Sequence, residues 1–172
     1  SQAAGEKPVI LDLYCGVGTI GLYCADEAEQ VIGIEIVKEA VLDANRNAVV
    51  NGIVNARYIC GKAEEILPFY AGQKATAGKP DKSKKSKEDK GDKASEPGID
   101  ASPKADPQLA DAVKQAKIAI LDPPRAGCRP ELLEAVIALG VERIVYVSCD
   151  PATLARDIKF LREHGYALQE AT

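Results

Sequence analysis

PVILDLYCGVGTIGLYCADEAEQVIGIE, residues 8–35, decides the fold. PVILDLY at 8–14 is a short apolar run of strand type that ends in a glycine-rich turn. Residues 19–28 then read as a helix, and QVIGIE at 30–35 as a second strand. Two strands joined by a helix-length segment imply a parallel βαβ unit. In sheets built from such units, ligands bind beyond the carboxyl ends of the strands. The residues of interest should therefore follow strands.

The same alternation continues downstream. KEAVLDANRNAVVNG at 38–52 has a helical period, ARYICG at 56–61 is a third strand, and AEEILPFY a short helix. KIAILDPPR at 117–125 gives a fourth strand, and RPELLEAVIALG at 129–140 a helix with Pro130 in its first turn. ERIVYVSC at 142–149 gives a fifth strand. DPATLARDIKFLREHG at 150–165 is a helix with Asp150 as N-cap and Pro151 at its first position. YALQEAT, 166–172, is expected to begin a further strand. The pattern predicts an α/β fold, a doubly wound, mostly parallel sheet of Rossmann-like type.

One stretch breaks the pattern. Residues 74–107 hold nine Lys, seven Asp or Glu and four Pro, with Ile99 as the one large aliphatic. Such a composition buries too little apolar surface to offset its ordering entropy. It reads as a flexible insertion at about 72–110, a solvated tether. A lysine-rich tail that scans RNA phosphates is the other reading, and its own acidic residues count against it.

Composition bounds the rest. The chain has 172 residues, 46% of them apolar, which supports a core. No apolar run is long enough for a membrane-spanning helix, and SQAAGEKP at the start has no apolar signal region. No membrane partner and a cytoplasmic location are therefore expected. A net charge of −4 is unusual for a self-sufficient nucleic-acid binder, so polyanion contacts would need a local patch or a further domain. Residue 1 is Ser and the chain has no Met, so a piece of a longer protein is expected. Five cysteines without a CxxC pair argue against a metal site within the chain.

The first turn, Gly16-Val17-Gly18-Thr19-Ile20-Gly21, has GxGxxG form, and Glu35 ends the second strand. Glycines allow a tight turn and close backbone approach to a ligand, and a carboxylate there accepts hydrogen bonds from ribose hydroxyls. A nicotinamide dinucleotide and S-adenosylmethionine both suit this layout. Asp122-Pro123-Pro124-Arg125 after the fourth strand separates them. Two prolines stiffen the turn and leave Asp122 free to accept a hydrogen bond. An acid-Pro-Pro motif at this place belongs to methyl-transfer enzymes.

Cys149 closes the fifth strand and precedes a helix. The positive end of a helix favours a thiolate, and Arg156 lies one to two turns on, so Cys149 is the candidate nucleophile. Cys24 and Cys60 sit inside regular patterns and read as small buried hydrophobes, as does Cys15. Cys128, after the DPPR motif, is open. His164, the one histidine, reads as a surface residue in a last helical turn.

DLYCGVGTIGL at 12–22, IGIE at 32–35, LDPPRAG at 121–127 and VSCDPATLARD at 147–157 together resemble the RNA uracil-5-methyltransferases. The Ser-Cys-Asp-Pro-x-Thr-x-x-Arg-Asp run is the specific signature, and the Gly-Val-Gly-Thr-Ile-Gly turn is most similar to the branch acting on 23S ribosomal RNA. The resemblance implies a methyltransferase fold over 1–172, partial and with its last strands lost, and 5-methyluridine formation through a Cys149–C6 adduct. It implies cofactor contacts from Tyr14, Gly16, Gly18, Thr19, Glu35 and Asp122. Pro123, Arg125, Arg156 and Asp157 take supporting or RNA-facing roles, with a structural ion pair as the alternative for the charged three.

The family's catalytic base, a Glu beyond the nucleophile, falls past residue 172. The family's RNA-binding OB-type domain, with iron–sulfur cysteines in some members, would precede residue 1. The chain alone is accordingly expected to be a monomer that binds S-adenosylmethionine weakly and does not turn over. Competing readings are a tRNA uracil-5-methyltransferase, an RNA cytosine-5-methyltransferase, a nicotinamide oxidoreductase and a non-catalytic cofactor- or RNA-binding module. The cytosine enzymes carry Pro-Cys where this chain has Pro-Pro-Arg.

Overall fold

The computed structural model describes residues 6–72 and 106–171. Five strands, β1 (Val9–Leu13), β2 (Gln30–Glu35), β3 (Ala56–Cys60), β4 (Ala116–Leu121) and β5 (Arg143–Tyr146), form one sheet in the order β3-β2-β1-β4-β5. Every pairing is parallel, with Leu11 opposite Ile32, Leu13 opposite Leu121, and Leu121 opposite Tyr146. The order reverses between β1 and β4. Connections leaving those two strands part to opposite faces and open a crevice at their carboxyl ends.

Side-chain alternation along β1 divides the core. Val9, Leu11 and Leu13 pack with α3 (Ala63–Tyr70), α4 (Pro107–Lys114), α5 (Pro130–Ala138) and α6 (Pro151–Glu163). Ile10 packs on the opposite face with Val31, Ile120 and Ala25, beside α1 (Thr19–Cys24). Val41 and Ala44 of α2 (Lys38–Val50) complete that face around Tyr58. Leu11, Leu13, Leu121, Leu132 and Leu133 are fully buried, and each contributes about 1.5–3 kcal/mol of apolar transfer free energy.

Two expectations change. Helix α4 begins at Pro107, inside the stretch read as an insertion to about 110. Asp106 caps it by accepting from the Gln108 and Leu109 amides, and Leu109 and Val113 bury one face. The remainder of that stretch lies outside the described residues. Residues 166–171 form no strand. The Tyr166 hydroxyl donates to the Val141 carbonyl, and the side chains at 167–171 are exposed, so nothing there offsets the entropy of an extended ladder. Among the described residues no helix is long and apolar enough to cross a membrane.

Candidate active site

Beyond β1, β3, β4 and β5 the chain stays bonded to its neighbour for one more residue. The Gly61 amide donates to the Glu35 carbonyl at 2.8 Å, Tyr14 to Ile34 at 2.9 Å, and Val147 to Leu121 at 2.8 Å. The Asp122 amide reaches the Leu13 carbonyl at 3.3 Å. These bonds set Glu35, Tyr14, Asp122 and Cys149 in a row along the carboxyl edge. β2, which Glu35 ends, and β5, which precedes Cys149, are three strand spacings apart, roughly 14 Å.

The glycine turn is held by Glu35. One carboxylate oxygen accepts from the Gly16 amide at 3.0 Å and the other from the Val37 amide at 2.9 Å. Each oxygen keeps a further lone pair for a ligand. Gly16 has φ +53°, and a Cβ there would meet nothing within 4 Å, so this glycine faces open space. The other glycines do different work. A Cβ on Gly18 would lie 2.7 Å from Tyr58 Cζ, and one on Gly33 2.1 Å from Tyr58 Cδ1. The Tyr58 ring therefore occupies the close approach that these two glycines permit, and its hydroxyl donates to the Gly18 carbonyl at 3.1 Å. Thr19 opens α1 with its side chain exposed.

Tyr14 is the one non-glycine among the described residues with positive φ, +63°. Its hydroxyl donates to Glu64 Oε1 at 2.6 Å, which fixes the ring despite a backbone conformation that is disfavoured by about 1 kcal/mol. Burial, and then the bond to Glu64, push the phenol well above its ordinary range. Glu64 was not foreseen from the sequence. Neither was Asp12, a carboxylate inside the apolar run VILDL. It is 1% exposed and accepts from the Gly21 amide at 3.0 Å. Burial raises its pKa from 3.8 to about 6, the Gly21 bond opposes this, and the Asp122 charge adds to it.

On the other half of the edge, Asp122 and Arg125 are exposed while Pro123 is buried. The Gly127 amide donates to the Pro124 carbonyl at 2.8 Å and turns the loop back toward α6. Asp157 is 2% exposed and faces this loop, not solvent. It accepts from the Cys128 amide at 2.8 Å and the Tyr146 hydroxyl at 2.6 Å. Arg156 pairs with it at 2.8 Å and donates to the carbonyls of Ala126 and Cys128. Arg156 and Asp157 thus form an ion pair that is also bonded to the backbone of the 126–128 loop.

Cys149 is the exposed cysteine; Cys128 is buried and Cys15, Cys24 and Cys60 are half-buried. Burial is the leading cause that pushes the Cys15 and Cys24 thiols up, and it pushes Cys128 up to about 12. The Asp150 carboxylate takes the Ala152 and Thr153 amides at 3.0 Å, so these donors point at Asp150. Those amides hold the Asp150 carboxyl below the usual range. Ser148 Oγ accepts from the Asp150 amide at 3.1 Å and fixes the turn around Cys149. His164 caps α6, exposed, with Nδ1 2.8 Å from the Phe160 carbonyl. Among the described residues no group of His, Cys, Asp or Glu is placed to hold a metal ion.

An open parallel sheet with an acid after β2 and an acid-Pro-Pro turn after β4 defines a Rossmann-like methyltransferase domain. Residues 10–76 match the family described as Methyltransferase domain, and residues 109–170 the family described as tRNA (Uracil-5-)-methyltransferase. An uncharacterized RNA methyltransferase of Caldanaerobacter subterraneus subsp. tengcongensis is 39% identical over 165 residues, 95% of this chain and 28% of that protein. One of Enterococcus faecalis is 40% identical over 162 residues, 94% of this chain and 27% of that protein. The chain thus spans just over a quarter of the length of these relatives.

Among solved structures, Pyrococcus abyssi tRNA (uracil-54, C5)-methyltransferase in complex with S-adenosyl-L-homocysteine superposes with a TM-score of 0.55 at 29% identity, over 91% of this chain and 28% of that one. Geobacter metallireducens precorrin-6y C5,15-methyltransferase reaches 0.60 at 13% identity, over 96% of this chain and 67% of that one, and shares the fold. Residues 109–170 thus match the tRNA (uracil-5-)-methyltransferase family, and most of the chain is similar to one part of longer RNA methyltransferases.

Proposed function

We propose that in the full-length protein this domain transfers a methyl group from S-adenosylmethionine to C5 of a uridine in 23S ribosomal RNA, with Cys149 as nucleophile, in the cytoplasm. The observation that carries the reading is one exposed thiol, Cys149, in the turn between β5 and α6, with β5 paired to the strand that Asp122 follows, while the other cysteines are at least half-buried. The residues present suit the cofactor: Gly16 is open, Glu35 keeps lone pairs for ribose hydroxyls, and Asp122 is exposed at the neighbouring strand end. Tyr14, Gly16, Gly18, Thr19, Glu35 and Asp122 would line that position. S-adenosylmethionine, when bound, supplies an electrophilic methyl group.

The chain's part in the chemistry follows from the substrate. C5 of uracil is a poor nucleophile. The Cys149 thiolate adds to C6, forming an S–C6 bond and moving the C5=C6 pair into an enolate that makes C5 nucleophilic. After C5 is alkylated, its proton leaves to a base, the C5=C6 bond re-forms and the thiolate departs. Arg125, exposed three residues after Asp122, is available to contact RNA.

A second reading, transfer RNA as substrate, is favoured by the likeness to the Pyrococcus abyssi enzyme. Mass mapping of RNA methylated by the full-length protein separates the two, with 5-methyluridine expected in 23S RNA. Cofactor titration tests the site itself. Glu35→Ala should weaken S-adenosylmethionine binding about 10- to 100-fold, because hydrogen bonds to a charged acceptor are lost. Unchanged binding, or binding of NADH, would contradict the proposal.

A further inference from the structure

We propose that Asp157, with Tyr146 and Arg156, forms a clasp that positions the 122–128 loop against the β5–α6 turn that carries Cys149. The inference rests on the reading above, in which Asp122 and Cys149 serve one substrate. Thr153, Arg156 and Asp157 lie at i, i+3 and i+4 of α6 and so share one face of the helix. All three reach the same loop, and every contact is to its backbone. Thr153 Oγ1 donates to the Arg125 carbonyl at 3.1 Å. Arg156 Nη2 donates to the Ala126 carbonyl at 2.9 Å and the Cys128 carbonyl at 3.2 Å. Asp157 Oδ2 accepts from the Cys128 amide at 2.8 Å.

The fit leaves no room at Gly127. Its φ is +74°, and a Cβ there would lie 2.5 Å from Arg156 Nη2 and 2.7 Å from Asp157 Oδ2. The helix that makes these contacts starts two residues after Cys149 and is joined to it by a fixed turn. Asp150 caps the helix, Ser148 braces Asp150, and the Val147 amide is bonded to the Leu121 carbonyl immediately before Asp122. Tyr146 closes the loop of contacts from β5 by donating to Asp157 at 2.6 Å. The nucleophile, the acid and the exposed Arg125 are thereby set on one frame. Using backbone contacts leaves the Arg125 side chain free for substrate.

The clasp residues are positioning residues and need not touch the reacting atoms. A displacement of about 1 Å between reacting groups lowers rates about 100-fold. The test uses the full-length protein with Asp157→Ala, Asp157→Asn and Tyr146→Phe. Amide hydrogen exchange of residues 122–128 reads the clasp directly and is independent of the reaction. Methylation of uridine-containing RNA, normalised to folded protein, reads its consequence.

Loss of protection at Cys128 in Asp157→Ala is expected, with kcat lower by about 10- to 100-fold and KM for S-adenosylmethionine within about 3-fold of wild type. Asp157→Asn, whose carbonyl still accepts from the Cys128 amide, should recover part of kcat. Unchanged protection overturns the clasp whatever the chemistry does. Lost protection with unchanged kcat overturns its positioning role. A wild type that methylates no uridine overturns the proposed function, and the positioning role falls with it, while loop protection still reports on the clasp.

Discussion

Two aspartates are the buried charged side chains among the described residues, Asp12 at 1% and Asp157 at 2% exposure. They do the same geometric task on the two halves of the sheet edge. Each accepts a backbone amide of a neighbouring segment, Gly21 in one case and Cys128 in the other. Their surroundings differ. Asp157 has a guanidinium at 2.8 Å and a phenol at 2.6 Å. Asp12 has Val31, Tyr58 and an amide close by, and the nearest charge that shifts it is Asp122, of the same sign. The first half is held by close packing around a carboxylate that burial makes easy to neutralise. The second is held by an ion pair that spreads its hydrogen bonds over a loop.

Substitutions at the glycines separate these designs most strongly. A Cβ on Gly21 would lie 2.5 Å from Asp12 Oδ2, 2.9 Å from Val31 Cγ1 and 3.0 Å from the Tyr58 hydroxyl, in a well-packed core. Gly21→Ala should lower stability by about 3 kcal/mol in urea unfolding. Gly127→Ala meets Arg156 Nη2 at 2.5 Å and Asp157 Oδ2 at 2.7 Å, the ends of side chains and not packed core atoms, so about 2 kcal/mol is expected, much of it from the positive φ. A larger loss at Gly127 than at Gly21 would break the contrast between packed and hydrogen-bonded halves.

Asp157→Ala should lower stability by about 2 kcal/mol, because the buried Cys128 amide loses its acceptor. The charge left on Arg156 is more than half exposed and adds little.

Asp12→Asn should act in the opposite direction. The folded pKa of Asp12, about 6, lies above the ordinary 3.8, so the protonated form is favoured in the native state. Its stabilising contribution is fully present below about pH 4 and is lost as pH rises through about 6. Asn keeps an oxygen for the Gly21 amide and carries no charge. The variant should gain about 2 kcal/mol over wild type at pH 7.5, and the gain should vanish by pH 4. Paired urea titrations across that range check it, and a pH-independent difference would contradict the raised pKa. The smallest effect is expected for Arg156→Lys, about 0.5–1 kcal/mol, since charge survives and the site is half open.

The local parts of this arrangement were legible in the sequence. The strand–glycine turn–helix order, Glu35 at the end of β2 and Cys149 ahead of α6 are all set by spacing within a few residues. What escaped depends on pairs distant in sequence. Nothing near Gly18 announces that Tyr58, forty residues on, fills the space it leaves. Asp157 reads as one half of an Arg-Asp dipeptide on a surface helix, and its burial follows only from the 125–128 loop lying over α6. Glu64 needed its contact with Tyr14 for the same reason. The missed helix α4 did carry a local signal, Asp106-Pro107 as cap and first position, obscured by the lysine-rich composition beside it. The strand expected at 166–172 has no ladder partner among the described residues.

The central claim is that Cys149, at the carboxyl edge of the sheet, is the nucleophile that attacks C6 of the base. Its most direct test is to incubate the full-length protein with S-adenosylmethionine and RNA containing 5-fluorouridine, where fluorine at C5 blocks release of the thiol. Tryptic digestion and mass spectrometry then locate the crosslink. The account predicts a nucleotide adduct on the peptide 144–156, carried by Cys149, and none in Cys149→Ala. An adduct on the peptide that contains Cys128, or one that persists in Cys149→Ala, would contradict it.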